Sequence, residues 1–201
     1  MRKSVFIAAL SCLLLAAACT TTTVKRVDAA TQIDLSGYWN DVDVRIICES
    51  LIRDCLGSPR VNEAIAAKRG KLPVVLVGSF RNESSEHIDT AIISSIMEAT
   101  IFNSGRLDFV SGGSTRDEIR TERQDQQSHA SEATASALAN ETGADFLLTG
   151  TVRTIIDREQ NRMVRTYFVN AEMTNIETNA RMWMAQNSEI KKVVVQPKNR
   201  F

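Results

Sequence analysis

Histidine occurs only twice in the 201 residues, aromatic side chains make up 5%, and neither sign of charge predominates, with 24 Lys and Arg against 24 Asp and Glu. Each shortage removes a class of function. His87 and His129 lie in polar surroundings without a second ligand at metal spacing, so they read as solvated surface side chains rather than parts of a metal or catalytic centre. The balance of charge gives no electrostatic case for nucleic acid, which rewards a strongly basic face. With few aromatics, the core must be built from aliphatic side chains. No apolar run reaches the roughly twenty residues that a membrane-spanning helix requires.

The apolar run that is present lies at the amino terminus. Arg2 and Lys3 precede a stretch from Val5 to Ala18 that is broken only by Ser11 and ends in Ala16-Ala17-Ala18-Cys19. A basic start, a short apolar segment and small residues before a cysteine make a secretory signal with a lipoprotein-type cleavage site. Residues 1–18 are therefore expected to be removed. The Cys19 thiol then takes a diacylglyceryl thioether, and two or more acyl chains suffice for stable membrane anchoring. Thr20, rather than an aspartate, follows the lipid site, which resembles the address of Gram-negative lipoproteins on the periplasmic side of the outer membrane, with the inner membrane as the alternative. Removing Arg2 and Lys3 leaves 22 basic against 24 acidic residues in about 183 residues, a length for one domain with one core.

Residues 19–34 mix threonines and charges without a hydrophobic period and read as a short linker, spanning at most about 50 Å when fully extended. Residues 35–201 form the expected domain. Asn40 or Asp41 caps a helix in which Val44, Ile47, Cys48, Leu51, Ile52 and Cys55 recur at helical spacing as one buried stripe. On such a helix Cys48 and Cys55 stand about 10.5 Å apart along the axis, too far for a disulfide, so they read as two buried thiols in an apolar role. Gly57 and Pro59 stop the helix, and a short one from Val61 to Arg69 follows. Leu72 to Phe80 is a continuous apolar run, expected as a central strand covered on both faces. Ser84 or Ser85 is placed to cap a helix lined by Ile88, Ile92, Ile93, Ile96, Met97 and Thr100 and ended by Gly105; Arg106 to Val110 is a second strand.

Ser111 to Ser114 is a turn, and the polar run Thr115 to Ser128 is either an exposed helix or an excursion from the domain. Ala130 to Glu141 is an alanine-rich helix ended by Gly143. The last third changes period: Asp145 to Asp157, Arg162 to Ile176 and Arg181 to Lys192 read as three strands of an antiparallel meander, followed by a frayed tail from Gln196. In the middle strand Tyr167, Val169, Ala171 and Met173 share one face, and Asn170, Glu172 and Thr174 the other. The fold class is therefore α/β: one compact domain with a mixed sheet of about four to five strands, a carboxy-terminal antiparallel meander and about four flanking helices.

No catalytic constellation, cofactor site or metal site emerges. Ser111-Gly112-Gly113-Ser114 lacks the lysine of a phosphate loop, and no Gly-x-Ser-x-Gly elbow is present. Asp41 and Asp43 diverge on a helix, and capping with solvation accounts for them better than paired acid–base work. What remains is surface. Arg116, Arg120 and Arg123, interleaved with Asp117, Glu118, Glu122 and Asp125, make a charged helical face that is either merely solvated or a partner-docking element.

These residues resemble the penicillin-binding-protein activator LpoB family of lipoproteins. The resemblance rests on Cys19, the entry Leu35-Ser36-Gly37-Tyr38-Trp39-Asn40-Asp41-Val42-Asp43, the strand Pro73 to Gly78, the segment Gly143-Ala144-Asp145-Phe146-Leu147-Leu148-Thr149-Gly150, and Trp183. The Gly-Ala-Asp segment alone looks much the same in the curli-secretion lipoprotein CsgG and the TolB amino-terminal domain, which leaves an envelope-assembly or structural lipoprotein as the alternative. The resemblance implies helices packed on a mixed sheet. It also implies a non-enzymatic, monomeric lipoprotein that binds a bifunctional penicillin-binding protein and raises its peptidoglycan-polymerising activity. Replacing Cys19 by serine is expected to move the protein from the membrane fraction to the soluble fraction, read by immunoblotting of fractionated envelopes; persistence in the membrane would contradict a lipid anchor at that residue.

Overall fold

A computed structural model describes residues 24–28, 31–110, 112–129 and 143–196. Cys19, the signal, the helix expected over Ala130 to Glu141 and the tail beyond Gln196 lie outside these residues. The chain divides into two units at Thr31/Gln32. In the first, residues 24–28 are exposed and without regular structure, and the Thr31 N–H donates to the Asp28 carbonyl at 3.0 Å.

The second unit begins with helix α1, Asp41–Gly57, followed by α2, Pro59–Ala67. All six residues of the stripe expected on α1 are buried, and they share the core with Val42. Proline at the first position of α2 explains the break between the two helices: a missing N–H costs nothing there, whereas it would interrupt a continuing helix. Strand β1, Val74–Asn82, then leads to helix α3, Thr90–Ser104. The cap of α3 is Asp89, whose carboxylate accepts the Ala91 N–H at 3.0 Å, rather than Ser84 or Ser85. Ser84 is occupied elsewhere: its N–H and hydroxyl both donate to Asn82 Oδ1, while the Asn82 amide donates to the Glu86 carbonyl, holding residues 82–86 in a turn. The helix buries Ile93, Met97 and Ile101 and leaves Ile92 half exposed, because isoleucines at several phases do not by themselves select a face.

Strand β2, Asp108–Phe109, is short, and helix α4, Gly113–His129, settles the polar run as helical. The remainder is β3, Phe146–Glu159; β4, Arg162–Asn175; β5, Arg181–Asn187; and β6, Lys191–Val195. Among the described residues six strands form one mixed sheet in the order β2-β1-β3-β4-β5, with β6 also on β4. β1 runs parallel to β2 and β3, and every pairing of β4 is antiparallel. The run expected as one strand to Lys192 is two, since the Asn187 side chain accepts the Glu189 N–H at 3.0 Å and turns the chain. β5 therefore pairs with the second half of β4 and β6 with the first.

Helices α1 and α3 cover one face of the sheet. Val75, Val77, Leu148, Val152, Tyr167, Val169, Met173 and Trp183 point into that layer, and Trp183 Nε1 ties β5 to α1 by donating to Asp54 at 2.8 Å. The faces of β4 divide as the alternation predicts, with Tyr167, Val169, Ala171 and Met173 inside. β1 is central, but its faces are unequal: Val75, Val77 and Phe80 are buried while Val74, Leu76 and Gly78 are half-buried.

Gly150 is required where β1 meets β3. A register shift after Val77 sets Phe80 beside Gly150, and a Cβ on Gly150 would run into both the Phe80 ring and the Asn170 carbonyl. Gly143, by contrast, has open space around its Cα. Gly150→Ala is expected to lower stability by about 1–3 kcal/mol, the usual cost of overpacking a fitted site, and Gly143→Ala to change it by less than about 0.5 kcal/mol, both read by urea denaturation.

Candidate functional site

The segment before α1 has no regular structure of its own, yet it is tied to the sheet by buried charge. Asn40 Oδ1 accepts the Asp43 N–H at 3.1 Å, and Asp43 Oδ2 accepts the Asn40 N–H at 3.0 Å, a reciprocal cap. Asp43 does more than cap. It is 2% exposed, and its Oδ2 lies 2.6 Å from Lys192 Nζ on β6. The same ammonium meets Asp34 Oδ1 at 2.7 Å and donates to the Tyr38 carbonyl at 2.8 Å, so an acceptor stands opposite each of its three donors. The expectation of a solvated Asp43 is thus corrected, because its counter-ion comes from the last strand; Asp41 is the exposed member of the pair.

A second pair lies beside the first. Arg165 Nε is 2.7 Å from Glu86 Oε1, both side chains being almost wholly buried; the contact is charge pairing rather than an aimed hydrogen bond. Arg165 Nη1 donates to the Gly37 carbonyl at 2.6 Å, and its guanidinium stacks 4.3 Å from the centre of the Tyr38 ring. Glu86 also accepts the Tyr167 hydroxyl at 2.8 Å and the Trp39 N–H at 3.4 Å, and the Trp39 and Tyr167 rings pack at 5.0 Å. Gly37 has φ +65°, and a Cβ there would collide with Val194. The entry segment Gly37-Tyr38-Trp39-Asn40-Asp41-Val42-Asp43 is therefore a strap clamped to β4 and β6.

Burial raises the Asp43 carboxyl, with Lys192 opposing, whereas hydrogen bonds from Lys192 and Gln32 hold the exposed Asp34 below its usual range. Tyr167 is pushed up by burial and then by the Glu86 carboxylate, which keeps its hydroxyl a donor. Burial likewise pushes the Cys48 and Cys55 thiols up to about 12, so both stay unreactive apolar groups at neutral pH.

Surfaces are what such a frame can present. Arg116, Arg120 and Arg123 fall on α4 at spacings that put them along one side. Arg120 is exposed, 3.9 Å from Asp117; Arg116 is half-buried, in a concavity with Leu76, Ser94 and Glu98; Arg123 is half-buried. His87 is exposed, and among the described residues no three His, Cys, Asp or Glu side chains gather as a metal would need. A second surface was legible only as a wet strand face. On the side of the sheet away from α1 and α3, Arg81, Thr149, Thr151, Asn170, Glu172 and Met184 line a shallow groove of about 620 Å³. Arg181 pairs with Glu172 there at 2.9 Å. Its donors and acceptors suit binding, and the alternating polar residues of β4 were its signal in the sequence.

Removing one member of the clamped pair leaves the other charge buried. Arg165→Met is expected to cost about 3–5 kcal/mol, as broken buried ion pairs do, and to free the Tyr38 and Trp39 rings, read by denaturant unfolding and tryptophan emission.

The model of the family described as peptidoglycan-synthase activator LpoB matches residues 43–189, from Asp43 in the strap to Glu189 between β5 and β6. Among solved structures, the LpoB C-terminal domain from Escherichia coli is similar at 16% identity and a TM-score of 0.44, over 77% of this chain and 99% of that one. Lipoprotein GNA1162 from Neisseria meningitidis matches at 18% identity and a TM-score of 0.38, over 60% and 83%. The PelC dodecamer from Paraburkholderia phytofirmans matches at 17% identity and a TM-score of 0.35, over 59% and 71%. No curated protein sequence matches significantly. With the family model running through α1 to β5, the chain belongs to the LpoB family of peptidoglycan-synthase activators.

Proposed function

We propose that the protein is a lipid-anchored periplasmic activator that binds a bifunctional penicillin-binding protein and raises its rate of glycan polymerisation without performing chemistry itself. The observation that carries this reading is the family match across residues 43–189. Activation by a binding protein requires tighter binding to the active conformation of the synthase than to its resting one; a difference of about 1–3 kcal/mol corresponds to a 5- to 150-fold shift between the two. The face of α4 bearing Arg116, Arg120 and Arg123 is the proposed docking element, since it sets three arginines along one side of a helix with Arg120 exposed and Arg116 and Arg123 half-buried. Cys19 holds the domain at the outer membrane, and residues 20–34 limit its reach to about 50 Å, so the synthase must present its docking site within that distance.

The test is glycan polymerisation by the organism's own purified bifunctional synthases, with and without the lipidated protein. Stimulation of several-fold is expected from one of them, and absence of stimulation from all of them would sink the proposal. Reversing charge at Arg116, Arg120 and Arg123 together is expected to weaken binding about tenfold; unchanged affinity would remove α4 from the interface while leaving activation standing.

A further inference from the structure

Strand β6 has one edge that, among the described residues, nothing pairs with. The Tyr167 N–H donates to the Ile190 carbonyl at 3.0 Å and the Gln196 N–H to the Asn161 carbonyl at 2.8 Å, with Arg165 opposite Lys192 and Met163 opposite Val194 between them. Hydrogen-bonding positions alternate along an antiparallel strand. Ile190, Lys192, Val194 and Gln196 therefore turn their main-chain groups toward β4, and Lys191, Val193 and Val195 turn theirs away. Among the described residues no strand lies on that side.

The side chains leave this edge open. Val193 is 52% and Val195 60% exposed, two aliphatic groups on one face of the strand. Lysines commonly guard such edges, but the Lys192 ammonium is turned inward onto Asp43 and Asp34, leaving Lys191 alone outside. Opposite the edge, the chain from Gln32 to Gly37 forms a second wall, with Leu35 92% exposed, enclosing a groove of about 520 Å³. The ion pairs of Lys192 hold both walls in place before anything binds, which removes part of the ordering cost of association.

We propose that this groove receives an extended segment of the synthase, which adds to the sheet as a strand beside β6. The backbone of Lys191, Val193 and Val195 offers N–H and C=O groups at every second residue, a pattern that another extended backbone matches and a helix does not. The segment that fits carries aliphatic residues at alternate positions, to cover Val193 and Val195, and an acidic residue opposite Lys191. This inference rests on the proposed activator function and names a second contact with the same partner.

Val193→Pro tests it, because the Val193 N–H points away from β4 and proline at an outward edge position leaves the β4 ladder whole. Val193→Thr keeps both the N–H and the branched shape. In the full lipidated protein, Val193→Pro is expected to weaken synthase binding tenfold or more, and Val193→Thr less than threefold. In the wild-type complex, the amides of Lys191, Val193 and Val195 are expected to gain protection from hydrogen exchange, a readout independent of whether the proline variant folds. Synthase binding without that protection would overturn the strand contact and leave the activator function standing. Failure of the wild-type protein to bind any synthase would remove the function itself. Protection that appears without synthase and grows with protein concentration would identify a second copy as the occupant and overturn the proposal.

Discussion

The buried pairing of Arg165 with Glu86 is the interaction on which the arrangement of the domain depends. Glu86 lies in the turn between β1 and α3, Arg165 is on β4, and the segment they hold, Gly37 to Trp39, precedes α1. Taking both charges out of water costs several kcal/mol per ion, and their attraction offsets that only with good geometry and further hydrogen bonds. Here the additional partners are the Gly37 carbonyl, the Tyr167 hydroxyl, the Trp39 N–H and the Tyr38 ring. Such a network contributes less to net stability than its distances suggest. Its effect is geometric: an irregular strap that apolar contacts alone could seat in several ways is given one position.

Division of labour between the two faces of the sheet follows from the same frame. One face is closed by α1 and α3 and carries the aliphatic core, together with two thiols that burial makes inert. The other presents threonine, asparagine, arginine and glutamate from β1, β3, β4 and β5 around a shallow groove. Binding surface built on strands and helices moves little, which suits a protein of a family named for changing the activity of another.

Local pattern was readable where one period had one solution. The α1 stripe, the alternation of β4, the break at Pro59 and the stop at Gly105 each named their residues correctly, because they are set by local spacing and backbone geometry alone. Pattern failed where the deciding partner was remote. Asp43 reads as a cap until Lys192, from the last strand, arrives beside it. Ser84 reads as a helix cap until Asn82 claims it, and isoleucines at Ile92, Ile93 and Ile96 leave the face of α3 undetermined. The unbroken β-rich run after Arg181 concealed a turn made by one asparagine side chain. Arg116, Arg120 and Arg123 were identifiable as a charged helical side, but a docking role belongs to a complementary surface on another molecule, which the sequence of one chain does not encode.

The contact between Asp34 and Lys192 also defines a load path. Tension arriving along the polypeptide from its amino-terminal side enters the domain at Gln32 and divides at Asp34, which is held by Lys192 on β6 and by the side-chain amide of Asn40, the cap of α1. Lys192 passes the load to β6, and β6 passes it to β4, which is paired along its whole length with β3 and over its second half with β5. The entry segment is thus tied, through β6, to the strand that pairs with three others. A pull that would otherwise fall on the first turn of α1 alone is shared with the sheet, because Lys192 bridges Asp34 to Asp43 from β6.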